Sequence, residues 1–311
     1  MSPIVCDFMS RVDEWIVPDK LYDAHCHFFT YKGMEKRAKS LGIESPEKLV
    51  EQRSQRIGRK FVLPPKKHED LAAMWVKEMD TKGLDKALML PDWNDSSFVE
   101  VATKLYPDRF VPFVMVNPKE ENTLEFLEDA YSKLDIRGMK LYPPIHYYHA
   151  YEDFMTPIYE FAQDHEMLIT YHMGISVGAN ADLRYMNPAD VSPIARKFPK
   201  VNFAFAHFAT GYLKELLFLM YHVKNVYAET SSSNRWMEYL PYDITLQDVF
   251  RKVINASSVD NIIFGTDSTM FPRGWRKPIY DWQLAVVNEI GLNKEEIDKI
   301  FYKNLERIAR I

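Results

Sequence analysis

The sequence has few cysteines and few glycines. Cys6 and Cys26 are the only cysteines among 311 residues, too few for a disulfide framework, so the composition suits a reducing compartment. Eighteen prolines stand against eleven glycines, which predicts defined loops rather than flexible linkers. With no low-complexity tract or Gly/Ser linker in between, we expect one domain over residues 1–311.

Long apolar runs and an excess of positive charge are also absent. No stretch reaches the roughly 18 apolar residues that a membrane helix needs. Acids interrupt the apolar residues at the N-terminus, unlike a secretory signal. The net charge of −5 gives no reason to expect nucleic acid or an anionic membrane as a partner. These absences predict a soluble cytoplasmic protein that acts on a small molecule.

What the sequence does contain is a repeated alternation of short apolar runs and amphipathic helical patterns. The runs are nearly continuous in apolar residues, as parallel strands are when both faces are covered. They span residues 21–28, 86–92, 110–117, 137–142, 167–172, 202–207, 225–230 and 261–267. Eight strands alternating with helices favour an α/β fold closed into a (β/α)8 TIM barrel. A doubly wound open sheet is the structural alternative.

One segment interrupts this alternation, an insertion at residues 28–68 after the first strand. It carries eleven Lys/Arg against four Glu. One interpretation is a solvated pair of helices on the surface. The other is a lid over the C-terminal end of the first strand, where its positive charge attracts an anionic substrate.

Histidines mark the first strand. His25 and His27 are two residues apart, and strand side chains alternate, so both point into the barrel lumen while Cys26 packs against the helices. His172, His207 and Asp267 each end a later strand. In a parallel barrel all of these ends lie on one face, the face that holds the active sites of barrel enzymes.

Imidazoles and a carboxylate meeting at one face predict a divalent-metal site. An HxH pair alone is weak evidence, and the ligand types at other strand ends are what favour a metal. Five further histidines have helical or loop contexts and are not expected to be ligands: His68, His146, His149, His165 and His222.

The order of these residues resembles the amidohydrolase superfamily. It is most similar to the branch that includes aminocarboxymuconate-semialdehyde decarboxylase, resorcylate-type decarboxylases and metal-dependent hydrolases. The segments GMKLYPP at 138–144 and FGTDS at 264–268 and the closing helix around Lys303–Ile308 agree. The likeness runs from about residue 20 to residue 311, apart from the insertion.

The resemblance implies that His25, His27, His172 and Asp267 hold one divalent metal, Zn²⁺ first and Mn²⁺ second. It places His207 beside the metal, where it polarises a carbonyl or only supports the site. Asp267 would take a proton from the activated water and pass it to a leaving group.

Lys140 has several interpretations. Some binuclear superfamily members carry a carbamylated lysine at this strand, whereas in the branch resembled here the lysine is usually unmodified. Lys140 is then either a contact for a substrate carboxylate or a structural lysine paired with Glu229. Glu229, at the end of the seventh strand, is either that partner or a substrate contact.

Arginines and aromatics on the loops at the mouth predict a small anionic substrate, aromatic or unsaturated. They are Arg184, Arg235, Trp236, Arg273 and Arg276. Two reactions use the same ligand set: hydrolysis of an amide, ester or lactone, and non-oxidative decarboxylation. We favour hydrolysis because no dedicated decarboxylase pattern is evident. A barrel without chemistry is disfavoured because every expected ligand is present, and a homo-oligomer is compatible with the sequence.

Overall fold

The computed structural model describes residues 15–175 and 180–311. Residues 1–14, which include Cys6 and the N-terminal segment discussed above, lie outside the described residues, as do residues 176–179. No helix in the described part of the chain is long and apolar enough to cross a membrane.

Each of the eight predicted runs forms a strand, and all neighbouring strands pair in parallel. The bounds are β1 Tyr22–His27, β2 Lys86–Leu90, β3 Phe110–Val111, β4 Val114–Met115, β5 Gly138–Leu141, β6 Leu168–Tyr171, β7 Asn202–Phe205, β8 Val226–Glu229 and β9 Ile262–Ile263. The third barrel strand is split into β3 and β4 because Pro112 lies between them and has no N–H to donate to the ladder.

Two sheets, β1-β2-β3 and β4-β5-β6-β7-β8-β9, join into a closed ring. At one junction the backbone N–H of Ala24 donates to the carbonyl of Phe264 at 2.9 Å, and Cys26 bridges to Ser268. At the other, Trp93 bridges to Met115. The (β/α)8 barrel is therefore confirmed, and the open doubly wound sheet is wrong.

The α-helices surround this ring and connect its strands. They are α1 Tyr31–Ser40, α2 Pro46–Ile57, α3 His68–Lys82, α4 Ser97–Leu105, α5 Thr123–Leu134, α6 Pro143–His146, α7 Thr156–Asp164, α8 Ser192–Lys197, α9 Leu213–His222, α10 Leu246–Ala256, α11 Lys277–Glu289, α12 Lys294–Asp298 and α13 Asn304–Ala309. A π-helical turn over Lys299–Lys303 joins the last two. Short 3₁₀ segments cover Asp153–Met155, Leu183–Tyr185, Pro188–Val191, Ala206–Ala209, Arg235–Tyr239 and Val259–Asn261.

Apolar side chains fill two layers. The larger cluster lies between the strands and the helices and includes Cys26, which is fully buried as predicted. A second cluster contains alternate residues of the strands, such as Tyr22, Ala24 and Leu88, together with Leu305 and Ile308 of α13. A register shift between Asp23 and Cys26 breaks the alternation of β1, so Cys26 packs on the helix side although Tyr22 and Ala24, four and two residues before it, belong to the inner cluster.

The insertion forms the helical pair α1 and α2. Thr30 caps α1 by accepting the N–H of Gly33 at 2.9 Å, and its hydroxyl donates to Asp92 at 2.5 Å. A Cβ added to Gly33 would lie 1.9 Å from Asp92 Oδ1, so glycine permits this close approach to the end of β2. The pair buries its own small apolar cluster, which includes Met270 from the loop after β9. The insertion therefore packs against segments at the mouth of the barrel.

Candidate metal centre

Three of the predicted metal ligands converge at the barrel mouth. His25 and His27 come from β1, and Asp267 follows β9. Asp267 Oδ1 lies 3.6 Å from His27 Nε2 and 3.8 Å from His25 Nε2. The three donor atoms lie within 4.8 Å of one another. Ligand atoms bound at about 2.0–2.2 Å to one ion are separated by comparable distances.

His172 lies nearby but outside this set in the described part of the chain. Its ring stacks on Tyr142, with centroids 4.0 Å apart, and lies 4.9 Å from the ring of His207. A backbone hydrogen bond at Ile175 engages the imidazole, whereas its buried Nε2 has no partner among the described residues. A buried imidazole nitrogen without a hydrogen-bond partner is available to coordinate a metal ion.

Burial sets the protonation of this cluster. It lowers the pKa of His27 to about 3, and the neighbouring Lys140 ammonium adds to the effect. The pKa values of His25 and His172 are also lowered well below the usual range by burial and by Lys140. Burial raises the pKa of Asp267 to about 6, against the pull of Arg276 and Lys140. Neutral imidazoles keep the lone pairs that a metal requires.

Lys140 reaches the same point from β5. Its Nζ lies 3.1 Å from His25 Nε2, and burial lowers its pKa to about 8. A direct ion pair with Glu229, one of the alternatives that the sequence left open, is not formed among the described residues. Glu229 instead turns its carboxylate toward His25 and Ser231, and it acts on Lys140 through its charge. Three hydrogen bonds from these two residues engage the carboxylate.

Glu229 and Ser231 link two histidines in a buried network. Glu229 Oε2 lies 2.7 Å from His25 Nδ1 and accepts the Ser231 hydroxyl at 2.9 Å. Ser231 Oγ is 2.6 Å from His207 Nδ1. One possible metal-ligand atom from each of His25, His207 and Glu229 also lies within 4.8 Å of the other two. The hydrogen bonds just described already link these three side chains. Ser231 was not predicted, and a hydroxyl two residues after a strand-end acid was its only signal.

Asp23 is a second residue that sequence reasoning missed. Its buried carboxylate accepts the N–H of His25 at 2.8 Å and the indole N–H of Trp275 at 2.7 Å. It also accepts the N–H of Thr266 at 3.1 Å and the hydroxyl of the same residue. Asp23 therefore ties the histidine strand to the loop that carries Asp267.

Two of the site residues have a left-handed backbone. The φ angle is 58° at both His207 and Asp267, a conformation that is uncommon outside glycine. Such backbone strain concentrates at functional sites, where the surrounding structure holds it. Here the left-handed turns follow β7 and β9 directly, at the C-terminal mouth.

The two arginines predicted after the last strand do reach the mouth. Arg276 donates to the carbonyl of Thr266 at 2.9 Å, and its guanidinium lies 3.9 Å from Asp267 Oδ2. Arg273 donates to Thr269 Oγ1 at 2.6 Å. The Nε of Arg273 is buried without a partner among the described residues.

The other three loop residues are directed elsewhere, which corrects their predicted contact with substrate. Arg184 is 75% exposed and pairs with Asp182 at 2.6 Å. Arg235 pairs with its own neighbour Glu238 at 3.0 Å. Trp236 is 3% exposed and packs in the core. Local acids satisfied both arginines, and sequence position alone did not reveal this.

An open cleft of about 730 Å³ extends from His27 beneath α1. Apolar and aromatic side chains form much of its wall, and basic residues of α1 lie at its edge. The lining includes Phe29, Met34, Lys36, Arg37, Trp93, Met115, Tyr142 and Ile145. Arg53 of α2 is close by, since Arg37, Arg273 and Asp267 all act on its charge. Neither Arg37 nor Arg53 was singled out from the sequence, although the basic insertion was.

A closed barrel with imidazoles and a carboxylate at its C-terminal mouth defines a metal-dependent barrel enzyme. The family described as amidohydrolase matches residues 22–310. The chain therefore belongs to the amidohydrolase family and is a metal-dependent enzyme of that family, as the resemblance implied. Among curated proteins, none matches it significantly.

Solved structures share the fold at low sequence identity. The 5-carboxyvanillate decarboxylase LigW2 of Novosphingobium aromaticivorans, with bound manganese, is 14% identical over 94% of this chain and 97% of its own, with a TM-score of 0.62. The 4-oxalomesaconate hydratase LigJ of Rhodopseudomonas palustris is 19% identical over 93% and 95%, with a TM-score of 0.62. A probable 2-pyrone-4,6-dicarboxylic acid hydrolase of Acinetobacter baumannii is 13% identical over 94% and 100%, with a TM-score of 0.63.

Proposed function

We propose that this enzyme hydrolyses an amide, ester or lactone bond in a small carboxylated substrate. The observation that carries the proposal is the grouping of Asp267, His25 and His27, in which the acid remains 29% exposed toward the mouth. Two imidazoles can help to hold a metal while a reachable carboxylate accepts a proton from water. That combination is what metal-assisted hydrolysis requires.

The donor set fits one divalent metal. We propose His25, His27, His172 and Asp267 as ligands, with Zn²⁺ as the first choice for imidazole and carboxylate ligation and Mn²⁺ as the second. The unpaired Nε2 of His172 and the contact that orients His25 through its Nδ1 support this assignment. Such a metal, when bound, polarises a substrate oxygen and lowers the pKa of water toward about 7.

The protein's own groups would carry the proton. Asp267, whose side chain remains 29% exposed at the mouth, accepts a proton from the attacking water and returns it to the leaving group. Lys140 is proposed to be unmodified, as is usual in the branch that the chain resembles, and to contact a substrate oxygen, since its Nζ lies beside His25 at the mouth. The backbone around Asp267 keeps the carboxylate turned into the mouth.

An anionic substrate is supported by a group of arginines near the cleft. Among the described residues, no carboxylate lies within ion-pair distance of Arg37, Arg53 or Arg273. Burial lowers the pKa of Arg53, and the charges of Arg37 and Arg273 lower it further. Positive charges left together in this way favour a bound carboxylate, which would accept a forked pair of hydrogen bonds. The insertion would then act as the lid.

Non-oxidative decarboxylation of an aromatic or unsaturated acid is the second candidate. The observation that favours it is the aromatic wall of the cleft, where Phe29, Trp93 and Tyr142 can stack on a planar ring. One relative of this fold is a 5-carboxyvanillate decarboxylase. In that reaction Asp267 would hand its proton to the ring carbon that loses CO₂.

The test begins with metal analysis of the purified protein. Activity against a panel of lactones, esters, amides and aromatic acids should disappear on chelation and return with Zn²⁺ or Mn²⁺. Uptake of one water per turnover supports hydrolysis, whereas release of CO₂ selects the second candidate. Full activity in the metal-free protein would contradict both. We further propose a cytoplasmic location, supported by the low cysteine content, and we leave a homo-oligomer as a prediction for light scattering.

A further inference from the structure

In the buried network behind the metal centre, the geometry defines which groups donate hydrogen bonds and which accept them. Glu229 is surrounded by donors: the Ser231 N–H at 2.5 Å, the Ser231 hydroxyl at 2.9 Å and His25 Nδ1 at 2.7 Å. A carboxylate with this environment accepts all three hydrogen bonds. A hydrogen bond to a carboxylate is also stronger than one between neutral groups.

The contact at the other nitrogen of His25, Nε2, agrees with a proton on Nδ1. The Lys140 ammonium has only protons to offer, so it donates to His25 Nε2 at 3.1 Å. The imidazole therefore carries its proton on Nδ1 and keeps a lone pair on Nε2. Both ends of the ring agree on one tautomer.

The single hydroxyl proton of Ser231 then decides the state of His207. If that proton points to Glu229, Ser231 Oγ has only lone pairs left for His207 Nδ1, which lies 2.6 Å away. His207 must donate across this contact. Its proton is then on Nδ1, and its Nε2 carries a lone pair.

We propose that Ser231 and Glu229 are positioning residues that hold His207 in the Nδ1–H tautomer, with a bare Nε2. This inference rests on the proposed function only for its consequence. In the resting site His207 therefore accepts a hydrogen bond from water or a substrate hydroxyl through Nε2, while its Nδ1–H donates to Ser231. In this tautomer it cannot donate to a substrate carbonyl through Nε2.

The position of Ser231 suits this role. It is fully buried, and it follows Glu229 by two residues, so the same short segment supplies both the acid and the hydroxyl. The left-handed backbone at His207 turns this ring toward β8. His207 is 6% exposed, which keeps bulk water from replacing the serine contact.

Long-range ¹H–¹⁵N correlation spectra of protein labelled in histidine, recorded without metal at a pH where the imidazoles are neutral, test the proposal. The His207 signals are assigned with His207→Gln. We expect a protonated Nδ1 and an unprotonated Nε2 in the wild type. A wild-type His207 that is protonated on Nε2 overturns the proposal, whether or not any variant folds.

Variants then test the cause. Ser231→Ala should lose the Nδ1–H pattern of His207, and Ser231→Thr, which retains a hydroxyl, should restore it. Ser97→Ala is the matched control because it also removes a serine–carboxylate bond, here to Asp95 at 2.5 Å, but far along the chain from His207. An unchanged His207 pattern in folded Ser231→Ala would overturn the role of the hydroxyl.

Zn²⁺ titration separates this inference from the proposed function. We expect Glu229→Gln to weaken Zn²⁺ binding about 10–100-fold, as loss of an outer hydrogen-bond partner of a ligand does. If wild-type protein binds Zn²⁺ but His207 has the other tautomer, the proposed function stands and the network assignment fails. If the tautomer is as expected but no metal binds, the network assignment stands and the proposed function fails.

Discussion

The two ends of this barrel use buried polar groups in opposite ways. At the C-terminal mouth, His25, Lys140 and Glu229 are all buried, and their pKa values are shifted by that burial. At the other end, α13 closes the lumen with Leu305 and Ile308, and Asn304 there satisfies the carbonyl of Ile262 at 2.9 Å. Polar groups at the closed end complete backbone hydrogen bonds, whereas those at the mouth bond to one another and leave His172 Nε2 buried without a partner among the described residues.

The difference teaches where stability and function lie in this chain. Burying an ionisable group destabilises the fold unless it is paired. The mouth accepts that cost for several groups, so the closed end and the helix layer must supply the stability. Changes at the two ends should therefore separate activity from the free energy of unfolding, which the following substitutions test.

The largest effect is expected for Asp267→Asn. Loss of the proton acceptor and of one proposed ligand should lower kcat by about 10²–10⁴-fold, whereas the free energy of unfolding should not fall, since the partly buried acid is replaced by a neutral amide. Steady-state kinetics and urea unfolding check this. Asp281→Asn, an exposed acid paired with Lys277, is the control. A variant with near wild-type kcat would remove Asp267 from the chemistry.

At the closed end, Ile308→Ala should lower the free energy of unfolding without lowering kcat. Ile308 is 2% exposed, and removal of such a side chain costs about 2–5 kcal/mol through lost burial and the cavity left behind. The remaining folded protein should keep its kcat and its metal content. Leu124→Ala, at a position 37% exposed, serves as the control. A drop in kcat equal to that of Asp267→Asn would contradict the division between the ends.

Arg53→Met should affect binding more than folding. If Arg53 binds a substrate carboxylate, KM for a carboxylated substrate should rise about 10–100-fold, the equivalent of a lost charged hydrogen bond. Stability should stay the same or rise, because the repulsion among neighbouring arginines is relieved. The uncharged analogue of the substrate and Arg235→Met provide the controls. An equal rise in KM for the uncharged analogue would exclude a charge-specific contact.

The smallest effect concerns the attachment of the insertion at residues 28–68. Burial acts to raise the pKa of Asp95, but hydrogen bonds from Ser97 and Lys36 and the charge of Lys32 outweigh it and lower the pKa to about 2. A folded pKa below the unfolded value of about 3.9 means that this stabilisation is present above pH 4 and is lost as the pH falls toward 2.

Asp95→Asn should therefore reduce the free energy of unfolding by about 1 kcal/mol or less at pH 6, since both lysines are largely exposed. The difference from wild type should vanish near pH 2. Chemical unfolding at both pH values measures it. A difference that persists unchanged at pH 2 would show that the charge of Asp95 is not its cause.

Much of the fold and part of the candidate site could be predicted from the sequence. Continuous apolar runs predicted all the barrel strands, and the spacing of His25 and His27 predicted their shared side. Arg184, Arg235 and Trp236 were misplaced, because a loop arginine's partner depends on acids that happen to fold beside it. Ser231, Asp23 and Arg53 were missed, since a lone serine, aspartate or arginine carries no periodic signal.

The sequence by itself determined the alternation of strands and helices, and with it the positions of histidines and an acid at strand ends, because backbone periodicity is a local property. Only the tertiary structure decided that Arg37 lines the cleft and that His25 and Ser231 bond to Glu229. It also showed that Asp23 joins the first strand to the loop after the last. These contacts join residues far apart in the chain, and they exist only once the ring of strands has closed.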